Sequence, residues 1–289
     1  MRNLHLLALA AFVLCPLVAE AQPGRGPGPG RPPPPRTKPA PRPKPTQLTW
    51  YGHAAFRVDT PSGKTILIDP WITNPKNPRG KADLAALRQV DLILVTHGHG
   101  DHVGDAVAIA KKTGARLVTT FDLGKGLVAE LGFPGDRLGF DTQGNFGGEV
   151  TLLGGEVTVR FVPAVHSSTV SKDDTAVAAA GSPGGFVIAV RGGPVLYHTG
   201  DTDVFGDMAY IGADVQITHM LACIGGHFTM GPAGAAEAAR LVKPLHIVPM
   251  HFGTFPVLTG TVDQLRDALT KKGVTAKVLP LEIGRPTPL

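Results

Sequence analysis

Three imidazoles and one carboxylate crowd into six positions in His97-Gly98-His99-Gly100-Asp101-His102. Neutral imidazole nitrogen and carboxylate oxygen suit zinc and other first-row divalent ions. The run Leu92-Ile93-Leu94-Val95 and then Thr96 precede the cluster. That run is short, branched and uncharged, which predicts a buried strand. The segment 106–112 after the cluster reads as helix. Ligand-type side chains are therefore expected at a strand-to-helix turn, with Gly98 and Gly100 letting the backbone tighten enough to converge them. A solvated polar loop is the plain alternative, and the dense spacing speaks against it.

Three more candidates each follow an apolar run: His166 after 159–165, Asp201 after 195–200 and His251 after 247–250. Seven ligands exceed the four of one tetrahedral zinc. Two divalent ions sharing a bridging carboxylate fit the count.

The elements that must position these residues alternate between strand-like and helix-like runs. Strands are predicted at 47–50, 55–59, 65–69, 92–96, 116–120, 157–161, 186–190, 195–198, 215–218 and 246–249. Helices are predicted at 105–113, 123–131, 232–242 and 262–272, with Pro232 at a helix start and Lys271-Lys272-Gly273 at a helix end. Such a mixture suits sheets covered by helices on their outer faces. No linker divides 47–289, so one domain is expected there.

The first 46 residues differ in kind. Arg2, the apolar stretch 4–18 and Ala19-Glu20-Ala21 have the pattern of a signal peptide over 1–21, so the mature chain is expected to begin near Gln22 as a periplasmic or secreted protein. The apolar stretch is short for a membrane span; a retained N-terminal anchor is the alternative, and Leu14 before Cys15 fits a lipidation site poorly. Residues 22–46 contain 11 prolines, six Arg or Lys and no acid, a composition that predicts a disordered, extended linker.

This tail also explains the charge. Residues 1–46 hold seven of the 28 Lys+Arg and one of the 23 Asp+Glu, which leaves 21 basic and 22 acidic residues in 47–289. A basic body of the kind that binds nucleic acid is thereby excluded on net charge. The tail is either a solubilising spacer or a contact for an anionic envelope surface. The expected partner of the body is a small-molecule substrate; nothing in the sequence sets the oligomeric state. Of the two cysteines, Cys223 alone lies in the body, so no internal disulfide and no Cys-x-x-Cys metal site is expected.

The combined motifs resemble the metallo-β-lactamase superfamily, and within it the metal-dependent hydrolases related to ascorbate-6-phosphate lactonase. The matching segments are Tyr51-Gly52-His53-Ala54, Leu67-Ile68-Asp69-Pro70, residues 96–102, Pro163-Ala164-Val165-His166-Ser167-Ser168, His198-Thr199-Gly200-Asp201-Thr202, Phe228-Thr229-Met230-Gly231-Pro232, and Pro249-Met250-His251-Phe252-Gly253-Thr254-Phe255-Pro256. They span nearly all of 47–289. The resemblance implies an α/β fold, the αββα sandwich with two mixed sheets flanked by helices. It implies two metal ions, zinc above manganese or iron. One would be held by His97, His99 and His166, the other by Asp101, His102 and His251, with Asp201 between them. The chain departs from its relatives at Gly225-Gly226-His227, where a Gly-Asp pair is usual, and in its exported, proline-tailed form.

An exported dinuclear hydrolase is thus expected, one that uses a metal-bridging hydroxide on an ester, lactone or phosphodiester. Asp101 is expected to orient that hydroxide as well as to ligate. A β-lactam-hydrolysing enzyme, or a non-catalytic metal- or envelope-binding module, are the alternatives. His53 is open between a site role and a turn role. Asp69 is expected to orient a metal-binding histidine. His227 is a candidate for the substrate mouth, and Phe228, Met230, Phe252 and Phe255 are candidates either for an apolar wall near the metals or for the core, whereas His198, His219 and His246 are expected to be structural, with His219 closing a strand.

Overall fold

A computed structural model describes residues 44–172 and 175–289. The segment 1–21, expected from sequence to be a signal peptide, and the tail as far as residue 43 lie outside the described residues. The strands are β1 (Gln47–Trp50), β2 (Phe56–Asp59), β3 (Thr65–Ile68), β4 (Leu92–Leu94), β5 (Arg116–Thr120), β6 (Gln143–Gly144), β7 (Glu149–Leu152), β8 (Val157–Pro163), β9 (Thr169–Lys172), β10 (Thr175–Ala179), β11 (Gly184–Val190), β12 (Val195–His198), β13 (His219–Cys223), β14 (His246–Met250), β15 (Lys277–Val278) and β16 (Thr287–Pro288). The α-helices are α1 (Gly80–Ala86), α2 (Gly100–Val103), α3 (Ala106–Thr113), α4 (Phe121–Leu131), α5 (Met208–Ile211), α6 (Pro232–Val242) and α7 (Val262–Lys271). No helix among the described residues is long and apolar enough to cross a membrane.

Two seven-stranded mixed sheets form, ordered β16-β1-β2-β3-β4-β5-β6 and β15-β14-β13-β12-β11-β8-β7, beside a β9–β10 hairpin. Successive strand side chains point to opposite faces, and both faces are apolar. Ile66, Ile68, Leu92 and Leu94 face the second sheet's Val159, Phe161, Phe186 and Ile188 in one core. Leu67, Ile93 and Leu117 face the other way, onto Ile109 of α3 and Leu123 and Leu127 of α4. On the far side, α6 and α7 bury Ala235, Ala239, Leu265 and Leu269. The result is the αββα sandwich that the motifs led us to expect. Helix starts follow local chemistry: Pro232 opens α6, and Thr261 with Gln264 forms a reciprocal capping box on α7.

Strand direction decides where chemistry can gather. β3, β4 and β5 are parallel, and β1 runs the same way because it is antiparallel to β2, itself antiparallel to β3. In the second sheet β12, β13 and β14 are parallel, and β8 matches them through β11. Residues just beyond the C-terminal ends of β1, β3, β4, β8, β12 and β14 therefore line one edge of the sandwich.

Two expectations need correcting. The strand expected at 215–218 lies four residues later, at His219–Cys223, so His219 opens the strand instead of closing it. The reason is burial. Met220 to Ile224 is a continuous, fully buried apolar run between two strands, while Thr218 is a lead-in bonded to Val195. The two glycines of the histidine cluster also differ from each other. Neither takes positive φ. A Cβ on Gly98 would lie 2.7 Å from the Thr169 carbonyl oxygen, whereas one on Gly100 meets nothing within 4 Å. Gly98 is required by close backbone approach; Gly100 is not. Gly98→Ala should therefore destabilise the protein by about 1–3 kcal/mol, and Gly100→Ala should be neutral within about 0.5 kcal/mol, as read from urea-unfolding midpoints of the two variants.

Candidate metal centre

Every ligand-type residue of the sequence motifs sits just past a strand end on that one edge. His97 follows β4, with His99, Asp101 and His102 on and beside α2. Asp69 follows β3 and His53 follows β1. From the second sheet come His166 after β8, Asp201 after β12 and His251 after β14. Turning these chains inward requires unusual backbone. Among the described residues, six non-glycine residues take left-handed conformations, including His53 (φ 51°), Asp69 (φ 44°) and His251 (φ 53°). Each costs on the order of 1–3 kcal/mol, and such strain gathers where function needs it. At Asp69 the strain is greater because Pro70 follows.

The deepest layer orients the histidines. Asp69 is fully buried and accepts three hydrogen bonds: Oδ1 from the Thr96 amide (2.8 Å), and Oδ2 from the Thr96 hydroxyl (2.7 Å) and His102 Nδ1 (2.7 Å). His97 Nδ1 in turn donates to Thr96 Oγ1 at 3.0 Å. Because Nδ1 carries the proton in both rings, both present Nε2 to the centre. This agrees with the orienting role expected of Asp69, and it adds Thr96, whose position directly before His97 was the available signal.

Two ligand groups converge above this layer. His97, His99 and His166 place one nitrogen each within 4.8 Å of one another, with His97 Nε2 3.0 Å from His99 Nδ1. His53, Asp101, His102 and His251 form a second such group. Asp201 lies between: its Oδ2 is 3.0 Å from His251 Nε2, 3.2 Å from His102 Nε2 and 3.7 Å from His166 Nε2. These short distances are not hydrogen-bond orientations. His102 Nε2, both ring nitrogens of His251 and Asp201 Oδ1 are buried without a hydrogen-bond partner. Buried polar atoms are normally satisfied, so this cluster of unpartnered ligand-type atoms fits a divalent metal.

His53 lies both in a turn and beside Asp101. It occupies the left-handed turn, and its Nε2 donates to Asp101 Oδ2 at 3.0 Å while Nδ1 accepts from Thr254 Oγ1 at 2.9 Å. Burial, with the nearby His251 and His102, holds its pKa down to about 4 despite Asp101, so the ring is neutral. Thr254 had no role assigned from sequence; it lies 201 residues from its partner.

Electrostatics divide the centre. Burial keeps His97, His99 and His166 below the ordinary histidine range, neutral and able to ligate. Burial acts the same way on His102 and His251, but carboxylates outweigh it. Asp201, Asp69 and Asp101 raise His102 well above its usual value, and Asp201 with Asp101 raises His251 to about 9. For Asp101, burial alone would raise the pKa; His102, His251 and His53 reverse that and hold the carboxyl well below its ordinary range.

A cavity of about 360 Å³ opens onto this centre, lined by His99, Asp101, His166, Ser167, Asp201, Phe228, His251 and Phe255. Three sequence candidates do not line it, and of these Met230 is buried in the core. Phe252 stacks on Trp50 at 5.6 Å, under the Lys76 ammonium. His227 is exposed and packs edge-on to Phe228 at 4.4 Å. Left-handed His251 turns the chain so that Phe255, not Phe252, reaches the mouth. His198 bonds the Ala54 carbonyl, and His246 stacks on His219 at 4.7 Å, away from the cavity.

A sequence profile described as the Beta-lactamase superfamily domain matches residues 64–252. The chain belongs to this superfamily. A UPF0173 metal-dependent hydrolase of Thermodesulfovibrio yellowstonii is 52% identical over 241 residues, covering 83% of this chain and 90% of the relative. Another from Archaeoglobus fulgidus is 41% identical over 240 residues, covering 82% and 96%. Among solved structures, Igni18, a metallo hydrolase from Ignicoccus hospitalis, is 33% identical with a TM-score of 0.72, covering 84% of this chain and 98% of that one. Superfamily membership agrees with the sandwich and with the orphaned donor set.

The charge pattern has a measurable consequence. In the metal-free protein His251, raised to about 9, keeps its proton at pH 7, and the surrounding carboxylates favour the charged form of His102 as well; ligation requires the neutral rings. Adding zinc to metal-free protein at pH 7 should release protons, seen as acidification of a weakly buffered solution. Metal uptake with no release would contradict the charge assignment.

Proposed function

We propose that the chain is an exported hydrolase that holds two divalent metal ions and uses water to open an ester, lactone or phosphodiester. One ion would be held by His97, His99 and His166, the other by Asp101, His102 and His251, with Asp201 shared. The observation that carries this reading is Asp201 Oδ2, which lies within 3.7 Å of ring nitrogens from both groups. The imidazole and carboxylate donor set favours zinc. Metal-dependent hydrolases among the relatives support the reaction class.

Bound there, divalent ions would supply a water acidified from a pKa of about 16 towards about 7 and an electrophile polarised for attack. The chain's own groups do the rest. Asp69 fixes the His102 ring directly and the His97 ring through Thr96, so neither can turn its protonated nitrogen inward. His53 holds Asp101 by one oxygen. Asp101 is partly exposed to the cavity, and its low pKa makes it a poor base. Its role is to accept a hydrogen bond from the attacking water and orient it, not to abstract its proton.

Metal analysis of the purified chain should give about two ions per molecule. Asp201→Ala should lose at least one and lower hydrolysis by at least about 100-fold; retention of both ions would sink the bridging assignment. Export is read from 1–21 and has its own check. N-terminal sequencing of protein from cell fractions should find a chain starting near Gln22 outside the cytoplasm, and a chain starting at Met1 in the cytosol would overturn it.

A further inference from the structure

The walls of the cavity differ sharply from its floor. The floor is the histidine and carboxylate centre. At the mouth stand two aromatic rings that the fold leaves uncovered, Phe228 (58% exposed) and Phe255 (36% exposed). Phe255 stacks on Trp71 at 6.0 Å and meets His53 edge-on at 5.7 Å. Phe228 sits on a tight turn, its amide bonded to the Gly226 carbonyl at 2.7 Å, and the Met230 amide two residues on bonds the Thr202 carbonyl. Exposed aromatics lining a small cavity are surfaces for apolar contact, because burying such rings is favourable in proportion to the area removed from water.

Charge makes the same selection. Among the described residues that line the cavity there is neither lysine nor arginine. Lys76, on the neighbouring loop, is committed elsewhere: its ammonium donates to the Phe252 carbonyl at 2.8 Å and lies over the Phe252 ring. A phosphate or carboxylate on a non-reacting part of a substrate would find no cation here and would face Asp101 and Asp201. A cationic tail would find Asp101 already bonded to His53. A volume of about 360 Å³ is near the lower end for ligand sites, which span roughly 300–1,000 Å³.

We infer that the substrate is a small carboxylic ester or lactone, uncharged and apolar on either side of the scissile carbonyl, gripped between Phe228 and Phe255. This rests on the hydrolase reading of the same centre and narrows it. In the reaction the water oxygen bonds to the acyl carbon and the acyl–alkoxy bond breaks. One water proton ends on the leaving alkoxide, and the other is released as the acid ionises.

The test uses the full chain loaded with zinc and a matched pair, 4-nitrophenyl butyrate and 4-nitrophenyl hemisuccinate, which share a leaving group but differ in the charge of the acyl tail. The butyrate should be favoured at least about tenfold in kcat/KM. Phe228→Ala should raise its KM about 5- to 20-fold with little change in kcat or in bound metal. Phe255→Ala should do the same if Trp71 keeps its place. Equal turnover of the two esters, an unchanged KM in both variants, or turnover confined to bis(4-nitrophenyl) phosphate would overturn the assignment while leaving a hydrolase. A second arm separates failure of the hydrolase reading itself. Equilibrium dialysis compares butyrophenone with 3-benzoylpropionate, two ketones that cannot be hydrolysed. Binding of the first alone, weakened by Phe228→Ala, supports an apolar uncharged site even in the absence of turnover; equal binding of both overturns it.

Discussion

One buried carboxylate holds the arrangement together. Asp69 has no solvent contact, and its oxygens are filled by the Thr96 amide, the Thr96 hydroxyl and His102. An isolated carboxylate buried this way would be prohibitive, so its three hydrogen bonds are a condition of folding as much as of function. They fix the ring orientation of His102 directly and of His97 through one hydroxyl. The strained left-handed backbone at Asp69, preceding a proline, persists because these bonds over-determine it. Everything above that layer, from Asp201 to the cavity mouth, takes its geometry from two rings that cannot rotate.

The local part of this centre was visible in the sequence. His97, His99, Asp101 and His102 lie within one turn and a short helix, so their spacing alone places them together. Runs such as 65–69 and 92–96, apolar on both faces, made sheets covered by helices readable, while the αββα sandwich itself came from the resemblance of the combined motifs to a known superfamily. What spacing could not supply were the contacts closed over long loops. His53 meets Asp101 across 48 residues and Thr254 across 201. No local pattern encodes those distances. The choice between Phe252 and Phe255 was equally hidden, because it turns on the backbone of His251, a histidine in a conformation that L-residues rarely adopt.

The elements that escaped sequence reading share a physical character. β6, β15 and β16 have two residues each, and β7 and β10 are largely exposed, so none carries a hydrophobic period long enough to register. β13 was misplaced for the opposite reason. Its run is apolar on both faces, and a continuous run has no internal mark of where pairing begins.

The ligand-type residues come from both layers of the sandwich. His53, Asp69, His97, His99, Asp101 and His102 belong to turns of one sheet, and His166, Asp201 and His251 to turns of the other. An ion held by both sets is a cross-brace as well as a reagent. It would tie strands far apart in sequence, as His102 to His251, at a rim where the sheets already share hydrogen bonds such as that from the His251 amide to the His53 carbonyl at 3.0 Å. Ligand binding that favours the folded state adds directly to stability. The rim that performs chemistry is thus also a rim at which bound metal would clasp the two halves of the sandwich together.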